Sequence, residues 1–150
     1  MKNTYQLTSE LYSFLPFVLS LQDKKEDFYA MPLFEQTSIK EKLAASYIQD
    51  KLYVQYYLPK ISKDVVLPAH SKENEKKEVL HVVSENSCNK IILQLHDTRI
   101  QLISLLNRTS QESMHAFFKI ENVSFTMYDH IERIIWNDTL IKDKISTMDY

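Results

Sequence analysis

Side chains suited to acid–base or metal chemistry are few in this sequence, and they are scattered. His96 stands beside Asp97, a pair suited to proton transfer when the two side chains meet. In the alternating stretch they occupy, however, neighbours face opposite sides of a strand. His70, His81 and Cys88 supply nitrogen and sulfur donors, but their separations match no zinc spacing, and His81 beside Val82 reads as helix surface. Tyr53, Tyr56 and Tyr57 resemble a ligand cage, which aromatic packing along a strand explains without a ligand. Arg99, Arg108 and Arg133 are isolated and Lys119 stands alone, so no phosphate pocket is read. No catalytic residue, metal site or cofactor is assigned, and an enzyme is not expected.

The composition removes further classes. The chain has no glycine, although average usage of about 7% would place roughly ten in a chain of 150 residues. A Walker loop, a dinucleotide fingerprint and a nucleophile elbow all need a backbone without a Cβ at a close approach or at positive φ. Turns must rest on other residues, and Asn86-Ser87, Asp97-Thr98, Glu121-Asn122 and Asn137-Asp138 are the candidates. With 18 basic and 20 acidic residues the net charge is −2, which gives neither a nucleic-acid footprint nor a polybasic membrane patch. The length suits one domain with one core.

The lone Cys88 cannot form an internal disulfide and favours a reducing compartment, so a cytoplasmic location is expected. The longest apolar stretch, residues 11–21, is too short to span a bilayer and is broken by Ser13, Pro16 and Ser20. Neither a signal peptide nor a transmembrane helix is read.

Periodicity places the elements. Thr8 or Ser9 caps a short helix over residues 8–15 that ends before Pro16, and residues 23–36, with Pro32, read as a linker. Ser38-Ile39-Lys40-Glu41 has capping-box form and opens a helix to about Ile48. Residues 52–58 are aromatic and end at Pro59, which predicts a strand. Residues 71–85 return to helical period, with Val79, Leu80, Val82 and Val83 as the apolar stripe. Alternation at Ile91, Leu93 and Leu95, then Asp97-Thr98-Arg99, then residues 100–105, predicts a β-hairpin. Strands follow at residues 116–120, 123–127 and 131–136.

This order resembles the phosphotyrosine-binding (PTB) domain family, in the type found in cerebral cavernous malformations adaptors. The resemblance rests on Tyr53-Val54-Gln55-Tyr56-Tyr57-Leu58, His96-Asp97-Thr98-Arg99-Ile100 and Ile120-Glu121-Asn122-Val123-Ser124-Phe125. Further matches are Ser46-Tyr47-Ile48-Gln49-Asp50-Lys51 and the helix segment Glu78-Val79-Leu80-His81-Val82-Val83. It implies an α+β fold: a PH-like antiparallel β-sandwich or partly open barrel with N-terminal helices, lacking the final strand and the C-terminal helix. Residues 1–37 would form a helical and linker arm, and residues 38–150 the PTB-like domain.

The function implied by the resemblance is a non-catalytic adaptor that adds an NPxY- or NPxF-like peptide of a partner protein as a strand, without needing phosphate. The implied binding residues are Phe118, Lys119, Ile120, Glu121, Asn122, Val123, Ser124 and Phe125. The competing class is a structural subunit whose open sheet edge is completed by another chain, or by the N-terminal helix with Phe14, Phe17, Phe28, Tyr29 and Phe34.

Overall fold

Polar residues placed just ahead of apolar runs start most of the helices. Asn3 accepts from the Gln6 amide at 2.9 Å while the Gln6 side chain accepts from the Asn3 amide at 2.8 Å, which starts α1 (Thr4–Ser20) one turn before the expected Thr8 or Ser9 cap. Ser38, Ser71, Ser87, Ser110 and Thr126 likewise cap α3 (Ile39–Leu52), α4 (Lys72–Glu85), α5 (Cys88–Asn107), α6 (Gln111–His115) and α7 (Met127–Ser146). At Ser38 the reciprocal half of the capping box differs from expectation, because Glu41 accepts from the Ser38 hydroxyl at 3.2 Å.

This computed structural model describes residues 1–61 and 64–148, and it is an α+β fold dominated by helices. The segment expected to be a linker holds a short helix, α2 (Glu26–Tyr29), and β1 (Pro32–Phe34), which pairs antiparallel with β2 (Thr37–Ser38). A second sheet has the order β3 (Val66–Leu67), β4 (Phe117–Ile120), β5 (Val123–Thr126), with β3 parallel and β5 antiparallel to β4. Among the described residues these small sheets form neither a sandwich nor a closed barrel.

Three expected strand regions are helical. Residues 52–58 run from the end of α3 into a π-helical turn, Tyr53–Tyr57, that buries Tyr53 and Tyr57 on one side. The expected hairpin over residues 91–105 lies inside α5, and the last expected strand lies inside α7. In α5 the buried set is Cys88, Ile91, Ile92, Leu95, Arg99, Leu102 and Leu106, a helical spacing, while Leu93 is exposed. A polar side chain at core position 99 broke the apolar pattern and made Asp97-Thr98-Arg99 look like a turn. His130 and Asp138 disguise α7 in the same way. Pro16 is carried within α1 on its exposed side, and a long C-terminal helix, expected to be missing, is present as α7.

Among the described residues the core has two clusters. One gathers Phe14, Val18, Phe28, Tyr29, Leu43, Ile92 and Leu95, with Phe17 and Phe34 packed against it, so these aromatics are internal packing and not a cover for a sheet edge. The other gathers Leu7, Leu11, Tyr53, Leu102, Phe118, Met127 and Ile131. In α4, Val79, Val82 and Val83 reach the first cluster, but Leu80 points to solvent. Between the clusters, Arg99 is fully buried and donates to Asp50 at 2.6 and 3.4 Å, to Asp138 at 2.7 and 3.1 Å and to the Leu11 carbonyl at 3.1 Å. One guanidinium therefore ties α1, α3, α5 and α7 together with every N–H used.

Lacking glycine, the chain reaches positive φ at Asp23, Glu35, Asp64 and Glu121. Asn86-Ser87 does separate α4 from α5 and Glu121-Asn122 does turn the β4–β5 hairpin, whereas Asp97-Thr98 and Asn137-Asp138 lie within helices. At Glu121, with φ of 52°, a Cβ crowds the backbone. Glu121→Gly is expected to stabilise the protein by about 0.5–1 kcal/mol, read as a higher midpoint in urea unfolding.

Candidate peptide-binding edge

The second sheet is built around β4. Its outer neighbours are fixed by backbone bonds from Asp64 to Phe117 at 2.9 Å, from Lys119 to Val65 at 2.8 Å and from Glu121 to Leu67 at 2.8 Å. On the other side, Phe118 pairs with Phe125, Lys119 with Ser124 and Ile120 with Val123. Thr126 ends β5 by turning its hydroxyl to the Asp129 amide at 3.1 Å, so α7 begins where the strand stops.

Strand alternation sorts the hairpin into two faces. Phe118 faces inward, 1% exposed, stacked with the His130 ring at 5.8 Å and tilted against Phe125 at 6.5 Å. His130 Nδ1 is hydrogen-bonded to the Tyr53 hydroxyl, and among the described residues its buried Nε2 has no partner. Burial, assisted by the Arg133 charge and opposed by Asp129, pulls the His130 imidazole down to about 4. Burial also raises the Tyr53 hydroxyl, so both groups are neutral near pH 7.

The outward face carries Phe117, Lys119 and Ser124, with Val66 from β3 beside them. Phe117 is 61% and Val66 62% exposed, an unusual amount of uncovered apolar surface on so small a sheet. A groove of about 590 Å³ opens at Phe117, walled by Ile61, Asp64, Glu112, His115 and Ala116. A hollow of about 140 Å³ continues from Asp64 and Phe117 past Val66 to Lys119 and Ser124.

The free edge is β5. In a hairpin closed by a two-residue loop, the Ile120–Val123 and Phe118–Phe125 pairs exchange backbone bonds. The backbone N–H and C=O of Ser124 therefore point away from β4, and among the described residues no other strand pairs with them. Val123 beside them is 56% exposed.

All eight residues expected to bind a peptide thus come together on one hairpin. Phe118 is committed to the core; Ile120 and Phe125 are partly buried; Lys119, Glu121, Asn122, Val123 and Ser124 are exposed. Sequence reasoning placed Phe117 in the strand but not among the binding residues, and it missed Val66 and the groove behind them. The adjacent aromatics Phe117-Phe118 were the available signal, since in a strand one of two neighbours must face outward.

The residues weighed for chemistry fall elsewhere. His96 and Asp97 lie on α5 and not on a strand, and His96 Nδ1 does approach Asp97 Oδ1 at 3.3 Å, on the helix surface. His70 lies 3.6 Å from Glu78, His81 is exposed on α4, and Cys88 is buried with its thiol pushed up to about 12 by burial. Among the described residues these do not gather into a metal-binding group, and no helix is long and apolar enough to cross a membrane. Compared with known proteins, the chain matches no family model, no curated protein and no solved structure.

Proposed function

We propose that the chain is a non-catalytic interaction domain that takes a short extended segment of a partner protein onto the free edge of β5. The observation that carries this reading is the outward-facing backbone of Ser124 beside exposed Val123 and Lys119. An added strand gains main-chain hydrogen bonds there, and its alternate side chains reach the open face of the sheet. The PTB resemblance supplies the finer expectation of an NPxY- or NPxF-like turn, bound without a phosphate requirement by the hairpin from Phe118 to Phe125. What supports that expectation is the hairpin and its edge; the sandwich of that family plays no part in it. A lone, buried thiol fits a cytoplasmic adaptor.

The test is Ser124→Pro. Proline removes an N–H that points away from β4, so the existing ladder stays intact while the edge loses its donor. Amide NMR of the native chain titrated with an NPxF peptide is expected to show shifts at Lys119 and from Val123 to Phe125. In Ser124→Pro the affinity falls at least about tenfold, the loss of one hydrogen bond and one register. Absence of shifts, or equal binding by the proline variant, would sink the reading.

A second reading rests on the exposed Val66, Phe117 and Val123 around a short edge: another chain, or a second copy, completes the sheet permanently. Sedimentation that rises with protein concentration and is lost in Ser124→Pro distinguishes it from peptide capture.

A further inference from the structure

We propose that a pocket between α3, α4 and α7 binds a phosphate-type oxyanion carried on a planar ring. The pocket has a volume of about 280 Å³ and is lined by Lys42 and Ser46 of α3, Glu75 of α4, and Arg133, Trp136 and Asn137 of α7. It shares no residue with the hairpin edge.

Two cations face it, and neither is tied to a carboxylate in an ion pair among the described residues. Among the described residues neither Lys42 nor Arg133 forms an ion pair; each stands over an aromatic ring, Lys42 at 5.5 Å from Phe34 and Arg133 at 6.0 Å from Phe125. Burial pulls the Lys42 amine below the usual lysine range, with the Glu75 charge opposing. The Glu75 carboxylate at the rim works against an anion, but two cations against one carboxylate leave the lining at +1.

The second observation is Ser46. It is 3% exposed, and its Oγ is buried with no hydrogen-bond partner among the described residues. A buried hydroxyl in that state is unfavourable, and an acceptor oxygen delivered into the pocket relieves it. The Asn137 amide adds a further donor. Trp136, 65% exposed on α7, presents a large indole to solvent at the same pocket. An indole left uncovered beside hydrogen-bond donors suits a ring stacked on it, with the oxyanion beyond. At about 280 Å³ the pocket lies near the lower limit of ligand sites, roughly 300–1,000 Å³, which favours an aryl phosphate or a mononucleotide over a larger cofactor.

Trp136 is the only tryptophan in the chain, so its fluorescence reports on this pocket alone. Excited at the red edge of its absorption, the native chain is expected to show a saturable change with phenyl phosphate, a weaker one with inorganic phosphate and none with phenol. Adenosine monophosphate against phenyl phosphate tells a nucleotide from a simple aryl ligand, and either preference upholds the site. Arg133→Gln and Lys42→Gln are each expected to weaken phenyl phosphate about tenfold, the effect of losing one charge-assisted hydrogen bond. Among the described residues neither side chain makes a hydrogen bond, so circular dichroism of both variants is expected to match the parent. Ser46→Ala weakens binding less, with its own fold checked in the same way. As a second readout, ligand raises the titration midpoint of the Lys42 amine by NMR. No saturable change with phenyl phosphate, an equal change with phenol, or titrations unaltered in both glutamine variants would overturn the proposal.

Discussion

Arg99→Met is expected to destabilise the protein by about 3–5 kcal/mol, a large part of the roughly 5–15 kcal/mol that holds a domain of this size. The cause is what remains after the change. Asp50 and Asp138 are 1% and 5% exposed, and the guanidinium that neutralises them is gone. Even in the native chain one positive charge stands between two carboxylates. Burial outweighs the pull of Arg99 on both, so Asp50 is raised and Asp138 is pushed up to about 6. For Arg99 itself burial works against the charge, but the two carboxylates prevail and raise it, so it stays ionised at any working pH.

The sign of the pH effect follows from those shifts. A carboxyl whose folded pKa lies above its unfolded value holds a proton in the folded state that the unfolded chain has released. For Asp138 the folded state therefore gains stability as pH falls from above 6 toward 4. Without Arg99 both carboxylates rise further, so the deficit of Arg99→Met is expected to shrink between pH 7 and pH 5. His130, whose folded pKa is lowered, acts oppositely in that window, but it does so in both proteins and cancels in the difference. Urea unfolding at the two pH values checks this. A triple variant, Asp50→Leu with Arg99→Met and Asp138→Leu, is expected to recover most of the loss, because an apolar cluster of similar volume replaces a buried ionic one at little net cost. A deficit in Arg99→Met that ignores pH would mean that lost packing, and not unpaired charge, is responsible.

Phe118→Ala is expected to cost a further 3–5 kcal/mol class of loss, about the value for a fully buried phenylalanine. The ring packs against both Phe125 and His130, whose own rings meet at 4.7 Å, and it belongs to the second core cluster. Its removal opens a cavity beside the unpartnered Nε2 of His130, and with burial relieved the imidazole midpoint is expected to rise from about 4 toward its ordinary value. Thermal unfolding and the NMR titration of His130 are the measurements. Lys119→Glu on the opposite face is expected to change stability by less than about 0.5 kcal/mol while altering peptide affinity, which separates the residues that build the hairpin from those that face a partner. Equal losses of stability at the two positions would refute the division of faces.

The hairpin was legible because every local signal agreed. Apolar residues in the stretches 116–120 and 123–127 and a polar two-residue loop at Glu121-Asn122 specify it within a short stretch, while the Thr126 cap that ends it and opens α7 was not read. The Ser38 cap and the helical period of residues 71–85 are local in the same sense. The mixed α+β class follows from those elements.

What the sequence determined by itself is therefore the set of features whose causes lie a few residues apart: the Ser38 cap, the hairpin with its Glu121-Asn122 turn, and the absence of glycine-dependent sites. Tertiary structure alone decided the rest. Arg99, Asp50 and Asp138 are far apart in the chain, and only their meeting makes polar residues acceptable in the core and lets α5 and α7 read as continuous helices. Likewise Ser46, Lys42, Arg133 and Trp136 come from two helices, and the pocket they share has no trace in local order. Burial of a charge, or exposure of an indole, depends on which surfaces meet, and a pattern of period two or 3.6 along one segment carries no information about its partner across the core.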